Sequence, residues 1–328
     1  MRILITGGAG FIGSAYTRAL LAGDLPGATA AAVTVLDNLS YSGNQANLNP
    51  IAGHPDYTFV HGDICDVDLV DQLMADHDAV VHFAAESHVD RSINSAAPFV
   101  TSNVLGTQVL LEAARRRGTG RFVHVSTDEV YGSIERGTWT EDSPLAPNSP
   151  YSASKAGSDL LALAFHRTHG VEVVVTRCSN NYGPYQFPEK VIPLFVTNLM
   201  LGRRVPLYGD GGNVRDWLHV SDHCRGIHLA LQAGRPGDVY HVGGGTELTN
   251  KELTSRLLEA CGADWGMVEY VTDRKGHDRR YSLDCSKAAT ELGYRAQVPF
   301  DEGLASTVDW YRANRDWWEP LKARAGAG

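Results

Sequence analysis

Much that would narrow a function is missing from this chain. Its five cysteines, Cys65, Cys178, Cys224, Cys261 and Cys285, are widely spaced and contain no CxxC pair. That excludes the usual zinc spacing and gives no disulfide framework, so no metal site is expected. Isolated thiols fit a reducing cytoplasm, the expected location. No apolar run approaches the roughly 20 residues of a membrane-spanning helix. The opening residues 1–7 carry too short an apolar run for a signal peptide. Positive charge is not in excess: 29 Lys and Arg face 38 Asp and Glu, for a formal net charge of -9. This argues against general affinity for nucleic acid or an anionic membrane, and an anionic ligand would need a local basic cluster. There is no internal repeat. Compositional bias is confined to an alanine-rich patch at 28–32 and a small-residue tail at 323–328, which is expected to fray.

What remains is an ordinary globular composition, 43% hydrophobic and 20% charged over 328 residues, long enough for two lobes. The first apolar run, Arg2–Thr6, leads at once into Gly7-Gly8-Ala9-Gly10-Phe11-Ile12-Gly13 and then a helical pattern through Ala15, Leu20 and Leu21. Such a strand, glycine turn and helix bring backbone amides and a helix N-terminus close to a pyrophosphate. A second strand at 32–36 ends in Asp37, at the distance expected for a carboxylate that binds a ribose diol. Its charge favours NAD over NADP. Further strands at 58–61 and 79–83 end in Gly62-Asp63-Ile64 and Ala84-Ala85-Glu86-Ser87. Asp63 is placed to meet the adenine, and the small residues would let a dinucleotide lie close. Candidate cofactor contacts are therefore Gly7, Gly10, Phe11, Ile12, Gly13, Asp37, Asn38, Leu39, Ser40, Asp63, Ile64, Phe83, Ala84, Ala85 and Ser87.

Helices are expected at 99–117 and 151–170, with strands at 121–125 and 172–177. This alternation predicts an α/β fold, a doubly wound parallel Rossmann sheet. Beyond residue 178 turn chemistry dominates: Asn180 to Tyr185, Pro188, Pro193, Pro206 and Gly209 to Gly212. Residues 1–178 are read as an NAD-binding domain joined by about 215–240, and 179–328 as a smaller substrate-binding lobe. A last helix at 301–314 carries Leu304, Val308, Trp310 and Tyr311. These aromatics, with Trp317 and Trp318, are read as packing.

Two clusters carry chemistry. Thr127-Asp128-Glu129 follows the strand at 121–125, where open α/β sheets place ligands. Adjacent carboxylates can divide acid and base roles if their environments separate their pKa values. An acidic turn capping the sheet is the bland alternative. Adjacent residues of an extended segment point to opposite sides, which leaves open how both would reach one substrate. Tyr151 and Lys155 lie one helical turn apart. A lysine ammonium and a cationic nicotinamide would both favour phenolate over the ordinary pKa of about 10, making this pair an alcohol-oxidising base. A surface i,i+4 pair is the alternative.

The glycine turn, Asp37 and Tyr151 with Lys155 resemble the extended short-chain dehydrogenase/reductase family, over nearly the whole chain. Thr127-Asp128-Glu129 resembles its dTDP-glucose 4,6-dehydratases more narrowly. So do the stretches Glu86 to Ser92, Asn180 to Tyr185 and Asp273 to Asp278, with Lys275 where that group commonly has proline. The resemblance implies oxidation of glucose at C4 by tightly bound NAD, with Tyr151 taking the hydroxyl proton and Thr127 holding the C4 oxygen. Glu129 would then take the C5 proton, protonated Asp128 would give its proton to the leaving C6 hydroxyl, and hydride would return to C6. It assigns Ser87, Thr127, Asn180, Lys190, Val191, Pro206, Leu207, Tyr208, Arg215, Asn250, Asp273, Arg274 and His277 to the substrate, dTDP-glucose. It adds Asn103, Tyr151, Lys155 and Asn181 as NAD contacts. It also implies a homodimer through the helices at 99–117 and 151–170. A nucleotide-sugar epimerase or decarboxylase of the same fold is the alternative activity, and thymidine is not separated from uridine by the residues themselves.

Overall fold

The computed structural model describes residues 1–28 and 32–325. The middle of the alanine-rich patch and the last three residues of the tail lie outside them.

The strands in chain order are β1 (Arg2–Thr6), β2 (Ala32–Asp37), β3 (Tyr57–His61), β4 (Ala79–His82), β5 (Arg121–Thr127), β6 (Val173–Cys178), β7 (Asn180–Tyr182), β8 (Val205–Tyr208), β9 (Val214–His219), β10 (Val239–Val242), β11 (Glu247–Thr249) and β12 (Val268–Val271). Seven of them form one sheet in the order β10-β6-β5-β4-β1-β2-β3. Every pair in it is parallel. The expected doubly wound Rossmann sheet is thus present. Its central strands are unbroken apolar runs because helices cover both faces: β4 and β6 are buried at every position. On one face, Tyr16 and Leu20 pack with Cys224, Ile227 and Leu231. On the other, Val70 and Met74 pack with Val109 to Leu111, Ala162 and Phe165.

Strand order reverses beside β1, so the loops after β1 and β4 diverge and leave a crevice at the carboxyl edge, where such folds bind ligands. After Cys178 the chain leaves the sheet. It returns as the helix Val220–Ala233 and the edge strand β10. The remaining strands form a three-stranded sheet, β11-β9-β7, and a parallel pair, β12-β8. A separate core of Tyr182, Phe195, Trp217, Leu257, Leu304, Tyr311 and Trp318 sits beneath them. The last aromatics do pack: the helix Phe300–Ala313 buries Leu304, Val308 and Tyr311, and Trp318 is fully buried.

One expected helix differs in its winding. The stretch 97–117 is helical throughout, but Val100–Gly106 is π-wound. The wider turn seats Asn103 inward, where its amide bonds Ser154 Oγ at 2.8 Å and both backbone groups of Glu86. Such turns concentrate near functional sites.

Candidate active site

A cavity of about 290 Å³ runs along the carboxyl edge, from the glycine turn after β1 to Glu129 after β5. Gly7 and Gly13 leave no room for side chains. Gly7 has φ +70°, and a Cβ there would lie 2.5 Å from the Ala84 nitrogen; a Cβ on Gly13 would lie 2.3 Å from the Gly7 carbonyl. Asp37 braces the turn from β2, accepting from Ala9 N–H at 2.9 Å and Leu39 N–H at 2.8 Å. Burial raises its pKa while these two donors oppose the rise. Asn38 donates to Asp63 at 3.0 Å. A tight backbone cradle with a carboxylate at the neighbouring strand end fits a dinucleotide.

Of the candidate cofactor residues, Gly7, Gly10, Phe11, Ile12, Gly13, Asp37, Asn38, Ser40, Asp63, Ile64, Phe83, Ala84, Ala85, Ser87, Tyr151, Lys155 and Asn181 line this cavity. Two do not. Leu39, with φ +52°, turns its side chain against the core. Asn103 stays behind the wall, its amide consumed by Glu86 and Ser154. Sequence reasoning missed Tyr41, Gln186, Phe187 and Glu189, which also line the cavity. They sit on loops without periodicity, and only the adjacency of 186–189 to Lys190 could have flagged them.

β5 ends at Thr127 and passes directly into a 3₁₀ turn, Asp128–Tyr131. Thr127 Oγ1 accepts from Glu129 N–H at 3.3 Å, which tightens that turn. The backbone therefore stops alternating after Thr127, and both carboxylates line the one cavity. Asp128 is 2% exposed. Its Oδ1 accepts from the Thr127 hydroxyl at 3.2 Å, and its buried Oδ2 has no partner among the described residues. Burial, then the charge of Glu129, push Asp128 well above the carboxylate range. Burial also raises Glu129, but Lys190, Arg215 and Arg274 pull it back. The two neighbours thus sit in different fields.

The helix Pro150–His169 starts with a capping box between Ser149 and Ser152 and proline in its first turn. This presents Tyr151 and Lys155 into the cavity, both buried, so they are no surface pair. Lys155 Nζ donates to the Val125 carbonyl at 2.8 Å. Burial lowers its pKa, and Asp159 one turn on opposes that. Burial, followed by Glu129, raises Tyr151 well above its ordinary value, the reverse of the phenolate expected of this pair, because burial outweighs the neighbouring lysine.

A second chamber adjoins at Glu129 and Asn180, walled by Arg215, Arg274, His277 and Tyr281. Arg215 lies 4.1 Å from the Tyr281 ring centroid and donates to the Asp278 carbonyl at 2.8 Å. Asp273 Oδ1 is 2.6 Å from His277 Nδ1, and Arg274 is 3.1 Å from the other ring nitrogen. Tyr208 stands edge-on to His277, 6.4 Å between centroids. Lys190 lies in the first cavity, its Nζ donating to the Ser87 carbonyl at 2.8 Å. Val191, Pro206, Leu207, Tyr208, Asn250 and Asp273 line neither chamber. Val191 packs on the C-terminal core, and Leu207 is buried under Gly211. Pro206 lies in the β8-β12 pair, and Asn250 opens the helix Asn250–Cys261 with its N–H on the Asn213 carbonyl.

A parallel sheet with a glycine turn at its switch point and a buried tyrosine-lysine pair beside it defines a dinucleotide-dependent enzyme of the short-chain dehydrogenase/reductase class. The family described as GDP-mannose 4,6 dehydratase matches residues 4–307. A dTDP-glucose 4,6-dehydratase of Streptomyces niveus is 67% identical over 98% of this chain and 96% of its own. DesIV, a dTDP-glucose 4,6-dehydratase of Streptomyces venezuelae solved with NAD bound, is 64% identical with a TM-score of 0.97, covering 98% of this chain and 100% of that one. A UDP-glucose 4-epimerase of Thermotoga maritima is more distant, 34% identical with a TM-score of 0.88, covering 96% and 100%. The chain belongs to the dTDP-glucose 4,6-dehydratases.

Proposed function

We propose that this protein converts dTDP-glucose to dTDP-4-keto-6-deoxyglucose and water, with the hydride passing from C4 to C6 of the same sugar. NAD, when bound, supplies the acceptor and donor for that hydride. The turn Gly7 to Gly13, Asp37 and Ala84 to Ala85 would hold it, with Lys155 beside it. Tyr151 takes the proton of the C4 hydroxyl, and Thr127 holds the C4 oxygen by its hydroxyl. Glu129 removes the C5 proton, which the new ketone has acidified. Asp128, protonated, gives its proton to the departing C6 hydroxyl, which leaves as water. Each such transfer is typically worth about 10²–10⁴-fold. Arg215, Arg274 and His277 in the adjoining chamber take the nucleotide diphosphate, the guanidinium forks suiting its oxygens.

The observation that carries the reading is the shared cavity of Asp128 and Glu129, with Asp128 buried against Thr127 and Glu129 facing the cations Lys190, Arg215 and Arg274. An epimerase of this fold needs no acid at position 128. Residues 1–178 with the returning helix and β10 would hold the cofactor, and the rest would hold the nucleotide sugar. We also take the protein to be a cytoplasmic homodimer. Support comes from five free cysteines and from apolar side chains left exposed on two packed helical stretches, Val100, Leu105 and Leu160. No helix among the described residues is long and apolar enough to cross a membrane.

Incubation with dTDP-glucose and, separately, UDP-glucose tests the activity by mass and NMR of the product. A 4-keto-6-deoxy sugar from the thymidine substrate is expected. A 4-epimer without loss of water would overturn the assignment.

A further inference from the structure

The short turn Gln45–Ile51 takes no part in the chemistry, yet Asn47 within it is 1% exposed and bonded on every polar atom. Its Nδ2 donates to the Ala9 carbonyl at 2.9 Å. Its Oδ1 accepts from the indole N–H of Trp317 at 2.9 Å. Its carbonyl accepts from Arg18, and its N–H donates to the Asn44 carbonyl. Ala9 is the centre of the glycine turn. Its N–H is held by Asp37, and its carbonyl takes a second bond from Asn44 N–H at 3.0 Å. The turn that would cradle a pyrophosphate is therefore tied, through one asparagine, to the C-terminal helix Arg315–Ala325.

The C-terminal helices also reach a second part of the cavity lining. Trp310 and Trp317 pack on Tyr185 at ring-centroid distances of 4.4 and 5.5 Å, and the Arg18 guanidinium lies 4.1 Å from the same ring. Tyr185 has φ +67°, a left-handed conformation that a tyrosine adopts only when its surroundings hold it. The Tyr311 hydroxyl donates to the Gln186 carbonyl, and Gln186 and Phe187 line the cavity. Two parts of the cavity lining, the glycine turn and Gln186–Phe187, are thus both tied to the last two helices of the chain.

We propose that the C-terminal helix clasps the dinucleotide through the glycine turn alone, with Trp317 a positioning residue that acts through Asn47 on that turn and slows the release of NAD. The proposal rests on the cavity being the NAD site. Release of a bound pyrophosphate needs the turn to move away from it, and every polar group of Ala9 is anchored against that movement. Slow release serves a reaction in which the cofactor is regenerated within one turnover: cofactor lost after the first oxidation would strand a ketone on the enzyme.

The test uses the NAD-loaded enzyme. NAD release is followed by trapping free NAD with an auxiliary dehydrogenase, beside thermal melting of each variant. Trp317→Phe removes the N–H and keeps an aromatic ring, and release about fivefold faster is expected, the worth of one hydrogen bond. Trp310→Phe trims the same aromatic cluster without touching Asn47, and unchanged release is expected whatever it does to melting. In an Asn47→Leu background, Trp317→Phe should add nothing further. Release from Trp317→Phe at the parent rate overturns the clasp, as does equal acceleration by Trp310→Phe, which would reduce Trp317 to packing. A parent enzyme that neither carries nor takes up NAD would instead overturn the assignment of the cavity itself.

Discussion

Burial and the neighbouring Glu129 both penalise the charge of Asp128 and push its pKa up. In the proposed mechanism Asp128 donates a proton to the leaving hydroxyl, and a raised pKa has a thermodynamic consequence. A carboxyl whose folded pKa lies above its unfolded value takes up a proton on folding. Its penalty is absent below the unfolded pKa and grows as pH rises through the window up to the folded pKa, at about 1.4 kcal/mol for each unit of displacement. Asp128→Asn should therefore stabilise the protein at pH 8 relative to the parent, with the difference shrinking towards pH 4, while elimination falls by roughly 10²-fold or more. Thermal melting across that pH range and product formation check both signs. A variant destabilised at pH 8 would mean that the buried carboxyl is held by something other than its proton. The identity of the two carboxylates was legible from their place at a strand end. Their convergence was not, because alternation along β5 predicts divergence, and the turn that cancels it is closed by the hydrogen bonds from Glu129 N–H to Thr127 Oγ1 and from Gly132 N–H to the Glu129 carbonyl.

At the scale of elements, the glycine turn has little slack. A methyl on Gly13 would meet the backbone carbonyl of Gly7, which cannot swing aside as a side chain could. Gly13→Ala should therefore weaken NAD binding at least about tenfold, read by titration of apoprotein with NAD, and lower the melting temperature. Parent-like affinity would show that the turn can open without loss. The parallel strands were legible because burial on both faces turns them into continuous apolar runs with polar ends. The small sheet β11-β9-β7 was not. β7 and β11 have three residues each and hold their place by pairing with β9, and nothing local records a partner so far along the chain. The π-wound turns at Val100–Gly106 were hidden for a related reason. Their apolar spacing reads as ordinary helix, and the demand that widens them comes from Glu86 and Ser154.

The whole molecule brings its chemistry to the line where the sheet meets the C-terminal core: Asp128 and Glu129 come from one side, Arg215 and Arg274 from the other. Charge explains why the second group was read only by resemblance, since a lone arginine among turn residues looks like any surface cation until folding buries it. Val100, Leu105 and Leu160 remain 54%, 49% and 58% exposed on helical stretches that pack together. Light scattering should give twice the 35.5 kDa chain mass, and Leu160→Glu should return it to the monomer value with the fold intact. A parent protein of single-chain mass would refute the dimer. The position of β10 has a further consequence. It is the edge strand beside β6, yet 60 residues made after β6 precede it. During synthesis from the N-terminus, β6 therefore waits with an open edge able to pair with a neighbouring nascent chain. Crowded translation, rather than the finished protein, is where this fold is most exposed to aggregation.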